Sequence, residues 1–378
     1  MHKQKSLIIW ISLLSIFLAG GIGYIVGRGP FVMARQVEAT LQQEALSPPD
    51  SLSMDQAACA ALAQAVGDEY TQWLSPDQMQ ELAMDISGDE TAGIGAELVT
   101  VEKGWQVVEV AEQSPAQTAG LSKGDIIVKI NGDPVGTQDW MPEEGVTTLF
   151  TVERDGVCRD LVIIPQKIEP LTPIVMKSLP NDYGYIRIRS FVQEGVETQF
   201  DQAMEKFSQA KGVVIDLRHN PGGRMDAVVE MINGLLPNQT EILCLLEAKG
   251  KQEVYTTNEN QKYNVPIVVL TDQQSASAAE IFAGVLQNQN RATIVGETTY
   301  GKGVVQKLKT LKDGSGLKYT MAEYRLADGT IIHQKGVEPD IEVQQDGLPG
   351  LASTELEDQA LQTAVRFLEN QQSITKEN

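Results

Sequence analysis

The chain is poor in cysteine, histidine and basic residues. Its 378 residues include 3 cysteines, 3 histidines and 30 lysines and arginines, against 51 aspartates and glutamates. The formal net charge of −21 disfavours long-range attraction to nucleic acid. Cys59, Cys158 and Cys244 show no metal-type spacing, and three thiols cannot all pair with one another. The sequence also lacks a phosphate-binding loop of the Walker type. We therefore expect no metal, no other cofactor and no nucleic-acid partner.

One long apolar run is present near the N-terminus, from Leu7 to Val26. Twenty uncharged residues at helical rise cover about 30 Å, the thickness of a bilayer core. We expect residues 1–28 to form an uncleaved membrane anchor, with the rest of the chain outside the cytoplasm, at the cell surface or in the periplasm. The alternative is a signal peptide cleaved near Ala19-Gly20-Gly21, which would yield a secreted protein.

The remaining sequence changes pattern several times. These changes predict a helical region over residues 29–87, a β-rich domain over 88–167, an α/β core over 168–345, and a C-terminal helix and tail over 346–378. The expected fold class is an α/β core with an inserted β-rich domain, a helical N-terminal flank and an N-terminal transmembrane helix. The last helix is predicted at Glu355–Leu368, followed by a loose polar tail.

Two turns in the core carry chemically suggestive residues. The apolar segment Pro266–Thr271 predicts a buried strand, and Ser277 begins the amphipathic helix that follows it. A second buried strand, Gly212–Leu217, ends in a turn that contains Gly222 and Gly223. Glycines allow close approach of the backbone, so their N–H groups would suit a developing negative oxygen.

Lys302 lies 25 positions after Ser277 in the turn Tyr-Gly-Lys-Gly. A hydroxyl at a helix start and a lysine fixed between glycines suggest a nucleophile and its base. A free amine with a pKa near 10.4 is protonated at neutral pH, but burial disfavours the ammonium and supplies a neutral base. In an extended strand Lys302, Val304 and Gln306 would lie on the same face.

Simpler interpretations compete with this one. Ser277-Ala278-Ala279-Glu280 fits a capping box, in which the serine only begins a helix. The two roles are compatible because the helix start also offers the Ala278 N–H to an oxyanion. Ser208 and Ser315 each stand three residues before a lysine, but neither begins a helix. His219 beside the glycine turn is the remaining alternative base.

Four motifs together resemble the C-terminal processing peptidases, also called tail-specific proteases. They are Asp216–Gly223, Ser275–Ile281, Val295–Gln306 and Gly336–Ile341, and the likeness extends over Ala57–Val343. The resemblance implies a serine endopeptidase that trims extracytoplasmic proteins from their C-termini with a Ser/Lys dyad. It makes Ser277 the nucleophile, Lys302 the base and Gln306 the residue that orients it. The backbone N–H groups of Ala278 and of Gly222 or Gly223 would hold the oxyanion. Some members carry aspartate where Asn288 stands, so a carboxylate there is absent.

The β-rich domain resembles a PDZ domain through Gly93-Ile94-Gly95-Ala96 and the strand that follows. In that family the loop holds the carboxylate of a peptide with an apolar C-terminus, which adds to the sheet as a strand. A helix usually walls the peptide groove, but only Gly136–Gly145 separates Val135 from the next strand. We expect that helix to be shortened or missing. Gating of the site, a homodimer contact and a structural spacer stay open as other uses of the domain.

Two functions of other classes remain as alternatives. A catalytically silent scaffold would bind protein C-termini through the PDZ-like domain, although it would have no chemical need for both Ser277 and Lys302. An acyl-CoA enzyme on a similar core would have no use for that domain.

Overall fold

A computed structural model describes residues 31–87, 91–136, 140–169, 171–344 and 358–377. The expected membrane segment over residues 1–28 lies outside these ranges. Within them, no helix combines the length and the apolarity that a membrane span needs.

Helices dominate the two ends of the described chain, and strands dominate its middle. The helices are α1 (Val32–Glu44), α2 (Ser51–Gln64), α3 (Pro76–Ser87), α4 (Pro115–Thr118), α5 (Val196–Lys206), α6 (Met225–Asn233), α7 (Ala278–Asn288) and α8 (Gln359–Glu377). The strands of the first half are β1 (Gln72–Leu74), β2 (Thr91–Gly93), β3 (Ala96–Val101), β4 (Gly104–Val110), β5 (Ile126–Ile130), β6 (Asp133–Pro134), β7 (Thr148–Arg154), β8 (Val157–Ile163) and β9 (Gln166–Ile168). Those of the second half are β10 (Ile174–Leu179), β11 (Tyr183–Ile188), β12 (Gly212–Asp216), β13 (Glu241–Glu247), β14 (Gln252–Thr256), β15 (Ile267–Thr271), β16 (Ala292–Gly296), β17 (Val304–Thr310), β18 (Gly316–Leu326) and β19 (Ile341–Glu342).

The N-terminal flank is helical, as the sequence predicts, but it also supplies a strand. α2 begins where the Asp50 carboxylate accepts the Ser53 N–H at 2.9 Å, a typical helix cap. Between α2 and α3, β1 pairs antiparallel with β18 of the core. A strand of three residues shows no pattern in the sequence. Through it the flank is hydrogen-bonded to the core.

The inserted domain is an antiparallel sheet in the order β3-β4-β5-β7-β8, with β6 beside β5. Val107, Ile127 and Phe150 are fully buried in its core. The described residues between β6 and β7 form no helix, which agrees with the expected loss of the groove helix. In this segment Trp140 packs edge-on against Phe150, with ring centroids 5.2 Å apart.

The main sheet of the core runs in the order β10-β11-β12-β15-β16-β19, and only β10 is antiparallel to its neighbour. Alternate side chains of a strand face opposite sides. Accordingly, Val213 and Ile215 pack with α5, α6 and α7, whereas Val214 packs with α8. The turns after β12 and β15 meet at the carboxyl edge of this sheet, where ligands bind in open α/β folds.

The prediction of a loose tail after Leu368 is wrong, because α8 continues to Glu377. Two polar residues of the supposed tail are bonded to the core. The Gln372 side chain donates to the carbonyl of Lys211 at 2.7 Å, and Asn181 donates to Glu369 at 3.4 Å. Polar composition alone concealed these contacts.

A second sheet carries the lysine turn, Tyr300–Gly303. Its order is β1-β18-β13-β14, and β17 pairs with β18. β17 begins two residues after Lys302, so the lysine lies where this sheet approaches the start of α7.

Candidate active site

Ser277 lies in the turn between β15 and α7. Its φ of 56° and ψ of −115° are values that residues with side chains rarely adopt. Such backbone costs roughly 1–3 kcal/mol and persists only where the surrounding structure imposes it. A sharp strand-to-helix turn of this kind exposes a nucleophilic hydroxyl above a sheet.

Glu280 joins the serine turn to the lysine turn. This carboxylate is fully buried, and one of its oxygens accepts the N–H groups of both Ser277 and Lys302 at 2.8 Å. The other oxygen accepts the Thr299 hydroxyl at 2.6 Å and the Gly301 N–H at 2.7 Å. Because the main-chain nitrogens of Ser277 and Lys302 both bond the same oxygen at 2.8 Å, the distance between them cannot exceed twice that value. The predicted capping box is thus present, and its carboxylate also holds the second turn.

Tyr324 makes a second link between the same turns. Its side chain is fully buried, and its hydroxyl lies 3.3 Å from the Ser277 carbonyl and 3.1 Å from the Lys302 carbonyl. Both catalytic candidates are therefore fixed through their main chains from two directions.

The Lys302 side chain is directed onto an aromatic ring. Its amine lies 4.7 Å from the centre of the Tyr70 ring, and no hydrogen bond among the described residues joins it to the serine hydroxyl. Burial lowers the pKa of the Lys302 amine below its ordinary value, and the nearby Lys318 ammonium lowers it further. The setting thus makes the amine easier to deprotonate than a free lysine.

Gln306 lies on β17, four residues after Lys302. The pairing of β17 with β18 is irregular between Val305 and Gln306. Its side-chain amide donates to the Val304 carbonyl at 3.5 Å. It contacts the main chain of its own strand in this arrangement, and the expected bond to the lysine is not among the hydrogen bonds of the described residues.

The turn that contains Gly222 and Gly223 lies directly against the serine. A Cβ built on Gly222 would come within 2.9 Å of both Ser277 Cβ and the Ala278 nitrogen, so only glycine fits. The Gly222 N–H already donates to the Asn220 side chain at 2.8 Å. The N–H groups of Gly223 and Ala278 have no acceptor among the described residues. These two are the available donors for an oxyanion.

Two of the alternative candidates, His219 and Ser315, have carboxylate partners of their own. The His219 ring contacts the Asp272 carboxylate. Burial acts to raise the pKa of that carboxyl, but hydrogen bonding from His219 holds the pKa below its usual range. Ser208 follows the end of α5, and the Ser315 hydroxyl donates to Asp313 at 2.7 Å. Neither serine begins a helix.

A groove of about 660 Å³ adjoins the predicted peptide-binding loop. It is lined by Gly93, Ile94, Gly95, Ala96, Leu98, Trp140, Pro142, Ile168, Leu171 and Thr172, among others. One wall is β3, which is an edge strand of its sheet, and the other includes the segment that leads into the core. An edge strand beside an apolar groove can accept an extended peptide.

Arg189 ties the inserted domain to the core. It donates to Glu97 of β3 at 2.9 Å, to Glu109 of β4 and to the Thr172 carbonyl at 2.6 Å. Two residues later, the Phe191 N–H donates to the Gly222 carbonyl at 2.9 Å. A short stretch of backbone therefore connects the groove to the glycine turn.

Sequence reasoning overlooked four residues of this site: Tyr70, Thr299, Arg189 and Tyr324. It also gave Glu280 only the role of a helix cap. A charged residue inside the almost wholly apolar helix start Ala278–Leu286 was the available signal, because a buried carboxylate requires several donors. Nothing in the sequence pattern links Tyr70 to the lysine turn.

Comparison with known proteins shows which proteins the chain is similar to. Residues 182–343 match the model of peptidase family S41, and residues 92–163 match that of the PDZ domain. A "Probable CtpA-like serine protease" of Staphylococcus aureus (strain N315) is 32% identical over 304 residues, which are 78% of this chain and 61% of that protein. The chain thus spans less than two thirds of that relative. The structure of a photosystem II D1 C-terminal processing protease is 26% identical with a TM-score of 0.56, over 86% of this chain and 90% of the other. Mature CPAF, 14% identical with a TM-score of 0.54 over 92% and 93% of the chains, shares the fold.

Proposed function

Because the chain belongs to the C-terminal processing peptidases of family S41 and carries a PDZ domain, we propose that it is a serine endopeptidase with Ser277 and Lys302 as its dyad. The observation that carries the proposal is the Glu280 carboxylate, one oxygen of which accepts the N–H groups of both residues at 2.8 Å. The strained backbone of Ser277 supports it further.

The reaction proceeds through an acyl-enzyme. The neutral Lys302 amine takes the Ser277 proton as the hydroxyl oxygen attacks the scissile carbonyl carbon. The Gly223 and Ala278 N–H groups donate to the oxyanion of the tetrahedral intermediate. The Lys302 ammonium then protonates the leaving amine, and water attacks the ester by the same steps in reverse order. Lys302 must first move from the Tyr70 ring to the serine, where Gln306 orients it.

Substrates are extracytoplasmic proteins, selected by apolar C-terminal tails. Support comes from the groove beside β3, where the Gly93–Ala96 loop offers main-chain N–H groups near an edge strand. Trp140 and Pro142 stand where a helix would otherwise wall the groove and favour an apolar end residue. The apolar run Leu7–Val26 supports attachment to a membrane, with the catalytic part outside the cytoplasm.

Degradation of one unstructured protein with either an apolar or an acidic tail tests the proposal. The full chain should degrade the apolar-tailed form faster, and Ser277→Ala and Lys302→Ala should each abolish cleavage. Trp140→Ala should raise KM for the apolar tail and leave kcat near the wild-type value, because Trp140 lines the groove and belongs to neither the serine turn nor the lysine turn. Equal degradation rates for wild type and both dyad variants would refute the proposed enzymatic function. Binding of the tail without cleavage would favour a scaffold.

A further inference from the structure

We propose that Tyr70 is a positioning residue whose ring seats the charged Lys302 side chain between catalytic steps and releases it to Ser277 when it is neutral. This inference rests on the proposed Ser/Lys function. The residue lies outside the serine, lysine and glycine motifs, 232 positions before the lysine.

The contact has the geometry of a cation–π interaction. The Lys302 nitrogen lies 4.7 Å from the centre of the Tyr70 ring, inside the limit of about 6 Å for such pairs. Burial raises the pKa of the Tyr70 hydroxyl, so the ring stays neutral. Among the described residues the amine makes no hydrogen bond to Ser277 or Gln306, and the Tyr70 ring is the contact found for it there.

The ring is held in place by its own segment. The Asp68 carboxylate accepts the Tyr70 N–H at 3.0 Å and the Thr71 hydroxyl at 2.6 Å. Thr71 is buried and its hydroxyl oxygen accepts the Thr320 N–H of β18 at 3.2 Å. β1 follows directly and pairs with the same strand. Tyr70 is therefore fixed to the sheet that carries the lysine turn.

The surroundings of the Lys302 amine act on its pKa in both directions, and the net effect lowers it. Burial and the Lys318 ammonium of β18 favour the neutral amine, and the neighbouring carboxylates favour the ammonium. Those carboxylates are Glu280 of α7 and Asp68 and Glu69 of the segment before β1. No ion pair within 4.0 Å joins Lys302 to any of them in the described chain, so no strong salt bridge holds the amine.

A neutral ring suits this task better than a carboxylate would. It attracts the ammonium that forms when Ser277 is deprotonated, yet it holds a neutral amine only weakly. The ring thus stabilises the Lys302 ammonium during acylation until the leaving amine takes its proton. A salt bridge would trap the proton by raising the pKa of the amine too far.

The decisive experiment measures the pH dependence of kcat/KM for Tyr70→Leu, with Tyr70→Phe as the matched control that keeps the ring. Loss of the ring removes stabilisation of the ammonium. The acid limb should therefore move to lower pH, and the rate on that limb should rise about two- to thirtyfold. Tyr70→Phe should keep the wild-type profile. Fluorinated phenylalanines at position 70 preserve ring size and should move the limb stepwise as fluorine weakens the negative face.

Any of three results would overturn the proposed role of Tyr70. They are an unchanged acid limb of kcat/KM in folded Tyr70→Leu, an equal shift of that limb in Tyr70→Phe, or no trend with fluorination. A direct NMR titration of the Lys302 amine in the Ser277→Ala protein separates this inference from the proposed function. If wild type proves inactive, the proposed function fails, but the amine should still titrate at lower pH when Tyr70 is leucine. An unchanged pKa of the Lys302 amine in this titration would by itself refute the proposed role of Tyr70.

Discussion

Replacing Glu280 by glutamine tests whether one buried carboxylate organises the site. Each oxygen of Glu280 accepts two donors at 2.6 to 2.8 Å. Glutamine keeps the size of the side chain, but its amide nitrogen would face two donors with hydrogens of its own. Two buried donors then lose their acceptor.

The expected magnitude follows from those two groups. A buried donor without an acceptor costs about 1–3 kcal/mol, so the variant should lose about 2–6 kcal/mol of unfolding free energy. For a unit of 150–250 residues, this lowers Tm by about 4 °C or more. Displacement of Ser277 or Lys302 by about 1 Å would also reduce kcat about 100-fold.

Thermal unfolding and steady-state cleavage of an unstructured protein are the two assays. Asp340→Asn is the control, since Asp340 accepts the Ile294 N–H of β16 at 2.7 Å and the Gln287 side chain of α7 at 3.0 Å but has no hydrogen bond to the serine turn or the lysine turn. It should lower Tm and leave kcat near the wild-type value. Wild-type kcat and Tm in Glu280→Gln would refute the argument that this carboxylate aligns the dyad.

Three further predictions concern the surroundings of the dyad. Lys318→Met removes a positive charge that lowers the pKa of the Lys302 amine, so that pKa should rise and the acid limb of kcat/KM should move to higher pH, opposite to Tyr70→Leu; a shift to lower pH would contradict it. Gly222→Ala places a Cβ 2.9 Å from Ser277 Cβ at a φ of +98°, and should reduce kcat about 100-fold in a cleavage assay while substrate-tail binding persists. Arg189→Ala removes the donor to Glu97 and Glu109, so limited proteolysis should cut the segment before β10 faster than in wild type; equal cutting rates would show that the contact does not restrain the domain.

Much of the core could be predicted because its signals are local. The apolar run of β15 and the serine that follows it are adjacent in sequence, and so are β12 and its glycine turn. The parallel order of the strands then brings the two turns to one edge of the sheet. The motifs therefore pointed to the serine turn, the lysine turn and the glycine turn that the structure brings together, although not to the Gly222 N–H being occupied by Asn220.

The errors have a different physical origin. β1 has three residues, all of which pair with β18, and the end of α8 is bonded to the core through Gln372, which donates to the Lys211 carbonyl. Both depend on partners more than 150 positions away in the chain, which no local pattern reports. The inserted domain is a further example, since Trp140 lines the groove where a helix would be expected from the family pattern.

The same distinction separates the two parts of the proposed catalytic arrangement. Main-chain positions of Ser277 and Lys302 are set by Glu280, which lies within the serine motif itself. The Lys302 amine lies over the ring of Tyr70, which belongs to a distant segment and which we propose positions it. A cation–π contact attracts the lysine only while it is protonated, so each deprotonation weakens the hold of the ring as it creates the base. Protonation and position of the lysine are thus one equilibrium, and changes at Tyr70 and Lys318 should act on it with opposite sign.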